Sequence, residues 1–141
     1  MKYLVVLFMF TASSGVAANK RFDDVVVSEV TSIYDADTFR VNIDSWPDII
    51  GSRMSVRVLG VDAPEIRGKC DSEKKAARLA KKFTVGFLRD GAKIELRNIQ
   101  RGKYFRILAE VYVDGINLAE GLIKAKHARP YEGGKRMGWC Q

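Results

Sequence analysis

The chain has 141 residues, of which 47% are apolar and 29% are charged. This size and apolar content suit one domain with a single core, and they exclude the need for a metal or an oligomer to complete that core. The chain contains 24 lysine and arginine residues and 17 aspartate and glutamate residues, so its net charge is +7. A basic surface of this kind suits a polyanionic partner such as a nucleic acid or an anionic lipid.

The first segment, residues 1–18, predicts a secretory signal peptide. "MKYLVVLFMF" places one lysine before a short apolar run, and "TASSGVAAN" supplies small residues for cleavage at Ala17 or Ala18. The run is too short to span a bilayer, and a buried N-terminal strand is the alternative. We therefore expect an exported protein, periplasmic or secreted, whose mature part is a single domain over residues 19–141.

The chain has two cysteines, Cys70 and Cys140, and neither belongs to a CxxC pair. In an oxidising compartment they are the only possible intramolecular partners, so the sequence favours a disulfide. Closing so long a loop would stabilise the fold by roughly 4 kcal/mol on the chain-entropy model. Two independent buried thiols are the alternative.

Strands dominate the first part of the mature chain. Residues 24–34 and 38–43 are rich in β-branched side chains, and residues 54–61 form a third predicted strand. Proline and glycine in residues 45–53 predict a loop between the second and third strands.

A helix is predicted next, over residues 72–89. Its expected apolar face is formed by Ala76, Ala80, Phe83 and Phe87. Asp71, Ser72 and Glu73 are suitable residues for the capping position and the first turn of this helix.

The second half of the chain returns to strands. Residues 92–99 and 106–113 alternate with a period of two, and a second helix is predicted over residues 117–126, before Pro130. The tail, residues 131–141, has little periodicity. This order predicts a mainly β fold with helices (α+β): a five-stranded, partly open antiparallel barrel of the OB type, with one inserted helix and one C-terminal helix.

Two acidic corners are predicted where strands begin or end. Asp62 and Glu65 flank Pro64 after the third strand, and Asp35 and Asp37 precede the second strand. If both corners met at one rim of the sheet, they would form a cage of hard oxygen ligands suited to calcium or magnesium. Taken singly, each corner is also explained as an ordinary turn.

Arg57 is an unusual residue for the third predicted strand. Alternation puts it on the same face as Leu59 and Val61, where a guanidinium needs an anion or a carboxylate as its partner. A bound phosphate would meet this need, and an ion pair with Glu65 is the structural alternative.

Three motifs, "DADT", "VRVLGVDAPE" and "KYFRILAEVYVDG", resemble in this order the thermonuclease, or staphylococcal nuclease, family. The resemblance covers about residues 24–131 and continues into "ARPYEGGKR" and "WC", as in small exported bacterial members. It implies a calcium-dependent secreted endonuclease built on an OB-fold barrel. Such an enzyme hydrolyses DNA and RNA with little sequence preference and leaves 3′-phosphate ends, and we expect it to act as a monomer.

The resemblance also implies a metal site. Asp37 and Asp62 match two carboxylate ligands of Ca²⁺, and Ala63 matches a third ligand that acts through its backbone carbonyl. The family has a threonine at this position, so its side chain is lost here without loss of the carbonyl ligand.

The resemblance further implies catalytic and substrate-binding residues. Arg57, Glu65 and Arg106 match the catalytic residues. The residues that match or lie near substrate-binding positions are Lys103 and Tyr104, which would hold a phosphate, and Tyr131, which would stack on a base. A solvated lysine and a sheet aromatic are the plainer interpretation of Lys103 and Tyr104.

The chain departs from the family pattern at a few positions. Ala36 and Phe105 replace glycines, so a positive φ at Ala36 would strain the metal corner, and Phe105 would tilt Arg106 or narrow the cleft. His127, the single histidine, lies at a position that is normally packed. Ala36 and Phe105 leave room for a catalytically silent OB-fold module that binds single-stranded nucleic acid. A third hypothesis is a basic exported structural protein in which the metal site serves stability only.

Overall fold

A computed structural model describes residues 22–140. The predicted signal peptide, residues 1–18, lies outside the described residues. Within the described range, no helix combines the length and the apolar character that a membrane span requires.

The elements follow the predicted order, with several short additions. In chain order they are β1 (Val25–Val26), β2 (Glu29–Asp35), β3 (Thr38–Asn42), α1 (Asp48–Gly51), β4 (Met54–Val58), β5 (Val61–Asp62), α2 (Asp71–Asp90), β6 (Ile94–Arg101), β7 (Arg106–Val113), β8 (Ile116–Asn117), α3 (Leu118–Lys124) and β9 (Arg129–Pro130).

The main sheet follows the path β1-β6-β7-β4-β3-β2. β1 and β2 are two parts of one chain segment, interrupted only at Val27 and Ser28. Because β1 pairs with β6 at one end of the path and β2 pairs with β3 at the other, the sheet curls back on itself. With β1 and β2 taken as one bent strand, β3, β4, β6 and β7 complete a partly open five-stranded barrel. The predicted OB-type fold is confirmed.

One strand pair differs from the predicted antiparallel arrangement. β4 and β7 run parallel, with Val56 opposite Ile107 and Arg57 opposite Leu108. Parallel neighbours need a long crossover connection, and here α2 and β6 lie between them in the chain. The prediction of a wholly antiparallel barrel is therefore wrong at this pair.

The core fills the barrel and the space beneath the two longer helices. Alternate residues of the strands are fully buried there, and α3 adds two leucines. The large, fully buried apolar side chains include Phe39, Val41, Val56, Leu96, Ile99, Val111, Leu118 and Leu122.

The buried face of α2 is rotated by about one residue from the predicted one. Ala77, Ala80, Thr84 and Leu88 are buried, whereas Ala76 is half-buried. Phe83 and Phe87 stand at the edge of this face. The face is shifted because their rings pack over Gly121 of α3, instead of entering the barrel.

The third predicted strand is also interrupted. β4 ends at Val58, and Gly60 adopts a φ of 86°, which favours glycine. The chain then resumes as β5, which pairs with β9 so that Asp62 lies opposite Arg129. Because of the turn at Gly60, Asp62 belongs to a separate two-stranded sheet that β5 forms with β9 near the C-terminus. The predicted loop 45–53 contains a further addition, the single turn α1.

Candidate metal and catalytic centre

The two predicted acidic corners meet at one rim of the barrel. Asp37 lies in the two-residue turn between β2 and β3, and its Oδ2 accepts a hydrogen bond from the backbone N–H of Ala63 at 3.0 Å. The backbone carbonyl of Asp37 accepts from the N–H of Val58 at 2.8 Å. Asp37 and Asp62 are 1% and 4% exposed. Residues distant in sequence thus place two carboxylates side by side.

Asp35 adds a third buried carboxylate to this rim. It is 5% exposed, and its Oδ1 has no hydrogen-bond partner among the described residues. Burial, followed by the negative charge of Asp37, raises the pKa of Asp35 from 3.8 to about 7. The resemblance did not assign Asp35 a role, although the sequence had placed it in the acidic corner.

Ala36 fits the turn without the strain that its replacement of glycine suggested. Its φ is not positive, its side chain is fully buried, and its carbonyl accepts a hydrogen bond from the Thr84 hydroxyl at 2.7 Å. Thr84 lies on α2, so the inserted helix holds the turn that carries Asp37.

Arg57 bridges the two corners. Its Nη1 lies 2.9 Å from Asp37 Oδ1, and its Nη2 lies 3.6 Å from Asp62 Oδ1. Nη2 also donates to the carbonyl of Val61 at 3.4 Å. The ion pair with Glu65 that the sequence left open is not the one formed, because the buried aspartates lie on both sides of the guanidinium.

Glu65 lies in the loop after β5, and Glu73 holds that loop. Glu73 is buried in the first turn of α2; its Oε1 accepts from the N–H of Glu65 at 3.3 Å and its Oε2 from the N–H of Lys69 at 3.0 Å. A side chain at Gly68 would collide with the Glu73 carboxylate. The sequence indicated for Glu73 only a place at the start of the helix, whereas Glu73 fixes the backbone that carries Glu65.

The C-terminal tail enters the same centre through Arg136. Its guanidinium donates to the carboxylates of Asp62 and Glu65, and its Nη2 lies 3.5 Å from the carbonyl of Ala63. Burial opposes the charge, but the hydrogen bonds to Glu65 and Asp62 outweigh it and raise the pKa of Arg136. Arg136 was not among the predicted site residues, because nothing local to the tail indicates its partners.

Further contacts hold the tail in place. The indole N–H of Trp139 donates to Asp62 Oδ2 at 3.1 Å, and the guanidinium of Arg129 lies 3.7 Å from the centre of the Trp139 ring. A disulfide joins Cys70 to Cys140, as the sequence predicted. Cys70 is the residue that precedes α2, so the tail is tied beside the loop of Glu65.

Arg106 lies on the same outward face as Arg57. β4 and β7 pair with Ser55 opposite Arg106 and Arg57 opposite Leu108, so the two arginines are on adjacent strands and two residues apart in register. The Nε of Arg106 is buried and has no hydrogen-bond partner among residues 22–140.

The segment between β6 and β7 exposes two aromatic rings. Tyr104 is 90% and Phe105 is 61% exposed, and their φ angles are 57° and 53°. Two consecutive positive φ angles are typical of a type I′ turn, which favours Asn-Gly. Phe105 therefore carries the strain that glycine would avoid. It also lies 5.6 Å from the Arg101 guanidinium, and Lys103 is exposed beside it.

Tyr131 lines a cleft of about 430 Å³ together with Arg57, Gly60 and Leu108. Its backbone N–H donates to the carbonyl of Gly60 at 2.9 Å, and its hydroxyl donates to the carbonyl of Gly134 at 2.7 Å. The structure therefore brings Tyr131 to the same cleft as Arg57. Lys103 and Tyr104 do not line this cleft.

The single histidine is a packing residue in this structure. The His127 ring lies 5.4 Å from the ring of Phe83, and its backbone N–H donates to the carbonyl of Leu122.

The donor set at the rim fits a divalent cation. Asp37 and Asp62 supply buried carboxylate oxygens, and the Arg136 guanidinium that contacts Asp62 also reaches the Ala63 carbonyl. Hard oxygen ligands of this kind suit Ca²⁺ or Mg²⁺. The Arg136 guanidinium already lies against Asp62 and the Ala63 carbonyl, which shows that this position accepts positive charge.

Comparison with known proteins identifies the family that combines these features. The model of the staphylococcal nuclease homologue family matches residues 55–137, which is more than half of the chain. The family consists of nuclease hydrolases that act on nucleic acids and typically depend on a metal ion. A search of curated proteins found no match.

Proposed function

The chain belongs to the staphylococcal nuclease homologue family, and on that basis we propose that it is an exported, calcium-dependent endonuclease. Its substrates are DNA and RNA, cleaved with little sequence preference to leave 3′-phosphate ends. The net charge of +7 supports this proposal, because it draws a polyanion toward the surface at a rate that depends on salt.

One observation carries the proposal. Asp37, from the β2–β3 turn, and Asp62, from β5, are joined through the Ala63 N–H and the Arg57 guanidinium. This arrangement places metal-binding oxygens next to a planar cation that matches a phosphate group. Burying two carboxylates and an arginine costs free energy, and such clusters of buried charged groups are typical of functional sites.

The metal would be held by Asp37, Asp62 and the carbonyl of Ala63. When bound, Ca²⁺ neutralises charge on a phosphoryl oxygen and orients the attacking water. Thr84 contributes indirectly, since its hydroxyl holds the carbonyl of Ala36 and hence the turn of Asp37.

Glu65 is the residue that we assign to the attacking water. Its side chain is 46% exposed, so solvent reaches it, and its backbone is fixed by Glu73. A carboxylate in this position accepts a proton from water as the oxygen attacks phosphorus. His127 is unsuited to that role because it packs against Phe83.

Arg57 and Arg106 bind the phosphate in the proposed reaction. Both guanidinium groups remain charged and offer planar pairs of donors that match phosphoryl oxygens. Arg106 stabilises the charge of the departing oxygen rather than donating a proton, because arginine scarcely deprotonates in proteins.

The remaining substrate contacts follow from the exposed residues around the centre. Tyr131 borders the Arg57 cleft and would stack on a base. Lys103 and Tyr104 lie on the exposed β6–β7 turn, where they would hold a phosphate further along the strand.

A digestion assay on the mature protein, residues 19–141, tests the proposal. Plasmid, single-stranded DNA and RNA are each incubated with Ca²⁺ or with EDTA, and acid-soluble nucleotides are measured. We expect release of nucleotides from all three in Ca²⁺ only, and end analysis should show 3′-phosphates. Asp37→Asn, which keeps the shape of the side chain, is the matched inactive control. Release that persists unchanged in EDTA or in Asp37→Asn would contradict the proposed mechanism.

Export is tested by fractionating the producing bacterium and sequencing the N-terminus of the recovered protein. A mature N-terminus at Ala18 or Asn19, in the periplasm or medium, is expected. Recovery of the protein in the cytoplasm with Met1 intact would contradict export.

A catalytically silent module that binds single-stranded nucleic acid is a second candidate. The exposed Tyr104 and Phe105 rings favour it, because aromatic side chains on OB barrels stack on unpaired bases. The discriminating result is a salt-sensitive shift of single-stranded DNA in EDTA without any Ca²⁺-dependent cleavage.

A further inference from the structure

The side chain of Arg136 lies among the groups that would bind the metal. Its guanidinium contacts Asp62 Oδ1 through two nitrogens, reaches the Ala63 carbonyl, and pairs with Glu65. The oxygens that it contacts are therefore the same ones that the proposed function assigns to the cation and to the attacking water.

We propose that Arg136 is an internal cation that occupies the metal corner of the metal-free protein and must leave Asp62 before Ca²⁺ binds. This inference rests on the proposed function. Its physical basis is that Asp62 Oδ1 and the Ala63 carbonyl cannot be hydrogen-bonded to a guanidinium and coordinated to an ion along the same lone pairs. Without a cation, the carboxylates of Asp37 and Asp62 would repel each other with Arg57 alone between them.

The tail is built so that Arg136 can both reach the site and leave it. Arg136 follows Gly133 and Gly134, which have φ angles of 105° and 84°, and its side chain is 36% exposed. Glycines give the chain the freedom to move the guanidinium by a few ångströms. The segment therefore permits exchange between the arginine and an ion.

The disulfide sets how strongly Arg136 competes. Cys140 is joined to Cys70 at the start of α2, and Trp139 donates to Asp62 Oδ2 from the same tail. Because Arg136 is only four residues from Cys140, the disulfide keeps its guanidinium at a high effective concentration beside Asp62. Reduction of the disulfide releases the end of the tail, so it lowers this effective concentration and favours binding of the ion.

The competition gives Arg136 a signature that can be measured. A residue that only supports the fold would weaken Ca²⁺ binding when it is removed. A competing cation has the opposite effect: its removal destabilises the metal-free protein yet strengthens Ca²⁺ binding. A charge-assisted contact of this type corresponds to an affinity gain of about tenfold or more.

The experiment is a calorimetric titration with Ca²⁺ of the wild type, Arg136→Ala and the matched control Lys135→Ala. Lys135 is the exposed neighbour, so its variant removes the same charge from the tail without a contact to the cluster. We expect about tenfold tighter binding in Arg136→Ala than in Lys135→Ala, together with a lower melting temperature in EDTA. The double variant Cys70→Ser/Cys140→Ser should also bind Ca²⁺ more tightly than the wild type.

Trp139 fluorescence is a second readout that does not depend on activity. Ca²⁺ should change the emission of the wild type as the tail shifts from Asp62, and this change should be absent from Trp139→Phe. Equal Ca²⁺ affinity in Arg136→Ala and Lys135→Ala, or weaker binding in Arg136→Ala, would overturn the inference alone. Failure of Ca²⁺ to bind any of these proteins would contradict the proposed function and, with it, the inference.

Discussion

The Arg57 guanidinium lies 2.9 Å from the carboxylate of Asp37, and the family resemblance assigns Asp37 to the metal. The same arginine lies 3.6 Å from Asp62 Oδ1. Arg57 is thus held between the two expected ligands, and any movement of it changes both the metal site and the position of a phosphate.

Arg57→Lys tests the importance of the planar fork. Lysine keeps the charge but cannot bridge two acidic residues and a phosphate with paired donors. We expect a loss of turnover that exceeds the loss of substrate affinity, since the phosphate contacts strengthen in the transition state. Single-turnover cleavage rates and substrate binding with Ca²⁺ absent separate the two effects. Equal losses in both would show that Arg57 contributes only uniform binding.

Asp62 and Glu65 should have different roles. Asp62→Ala removes a ligand, so Ca²⁺ binding should weaken. Glu65→Gln should leave metal and substrate binding nearly intact while lowering turnover by about 10² to 10⁴, the usual scale for a general base. Calorimetric titrations beside single-turnover rates check both statements. Near wild-type turnover of Glu65→Gln at saturating Ca²⁺ would make Glu65 a structural partner of Arg136 instead.

Asp35 predicts how the metal-free protein responds to pH. Burial and the neighbouring Asp37 raise its pKa from 3.8 to about 7, so the folded state favours the protonated carboxyl. The resulting stability is complete below the ordinary pKa and is lost as pH rises through about 7. Arg57 and Thr38 act in the opposite direction and moderate the effect.

Urea denaturation in EDTA at about pH 5 and about pH 8 tests this prediction. Because pH 5 already lies above the ordinary pKa of 3.8, Asp35→Asn should be more stable than the wild type at both pH values, and its advantage should be clearly larger at the higher pH. The contributions of all other groups cancel in the difference, because both proteins contain them. An identical pH dependence in the two proteins would show that Asp35 does not titrate in this range.

In the β6–β7 turn, we expect the residues that favour folding stability to differ from those that favour binding of single-stranded DNA. Tyr104→Asn/Phe105→Gly places suitable residues at two positive φ angles, so we expect a gain of about 1 kcal/mol in the free energy of unfolding. Loss of the aromatic faces should weaken single-stranded DNA binding by about 1 to 3 kcal/mol per stacked base. Thermal unfolding and a fluorescence titration measure the two effects.

Ile49→Ala is the matched control for the turn, because Ile49 is another highly exposed apolar side chain. It should leave DNA binding unchanged. Unchanged DNA binding in the turn variant as well would show that Tyr104 and Phe105 do not stack on bases.

The disulfide should contribute substantially to stability. Cys70→Ser/Cys140→Ser opens a loop with a sequence separation of 70 residues and should lower the free energy of unfolding by roughly 4 kcal/mol. Mass spectrometry of the exported protein should show a chain two hydrogens lighter than its reduced form. Two thiols that react freely with an alkylating agent in the recovered protein would contradict the pairing.

The barrel and its acidic corners could be predicted because their signals are local. In residues 38–43 and 106–113, apolar and polar side chains alternate because one face of each strand is buried. This alternation is a property of the single strand and does not depend on how the strands are arranged in the sheet. The carboxylates Asp37 and Asp62 follow from their places at strand ends in the same way. The helix period gave α2 its correct extent, but the packing of Phe83 over Gly121 shifted its buried face.

Contacts between distant segments were decided only by the tertiary structure. Arg57 could have paired with Glu65 or with a phosphate, and it lies against Asp37 because the curled sheet brings β2–β3 beside β4. Arg136 reaches Asp62 because β5 pairs with β9 and because Cys140 is joined to Cys70. No pattern near residue 136 encodes such a partner, since an arginine in an irregular tail pairs with whichever carboxylate the fold brings near it.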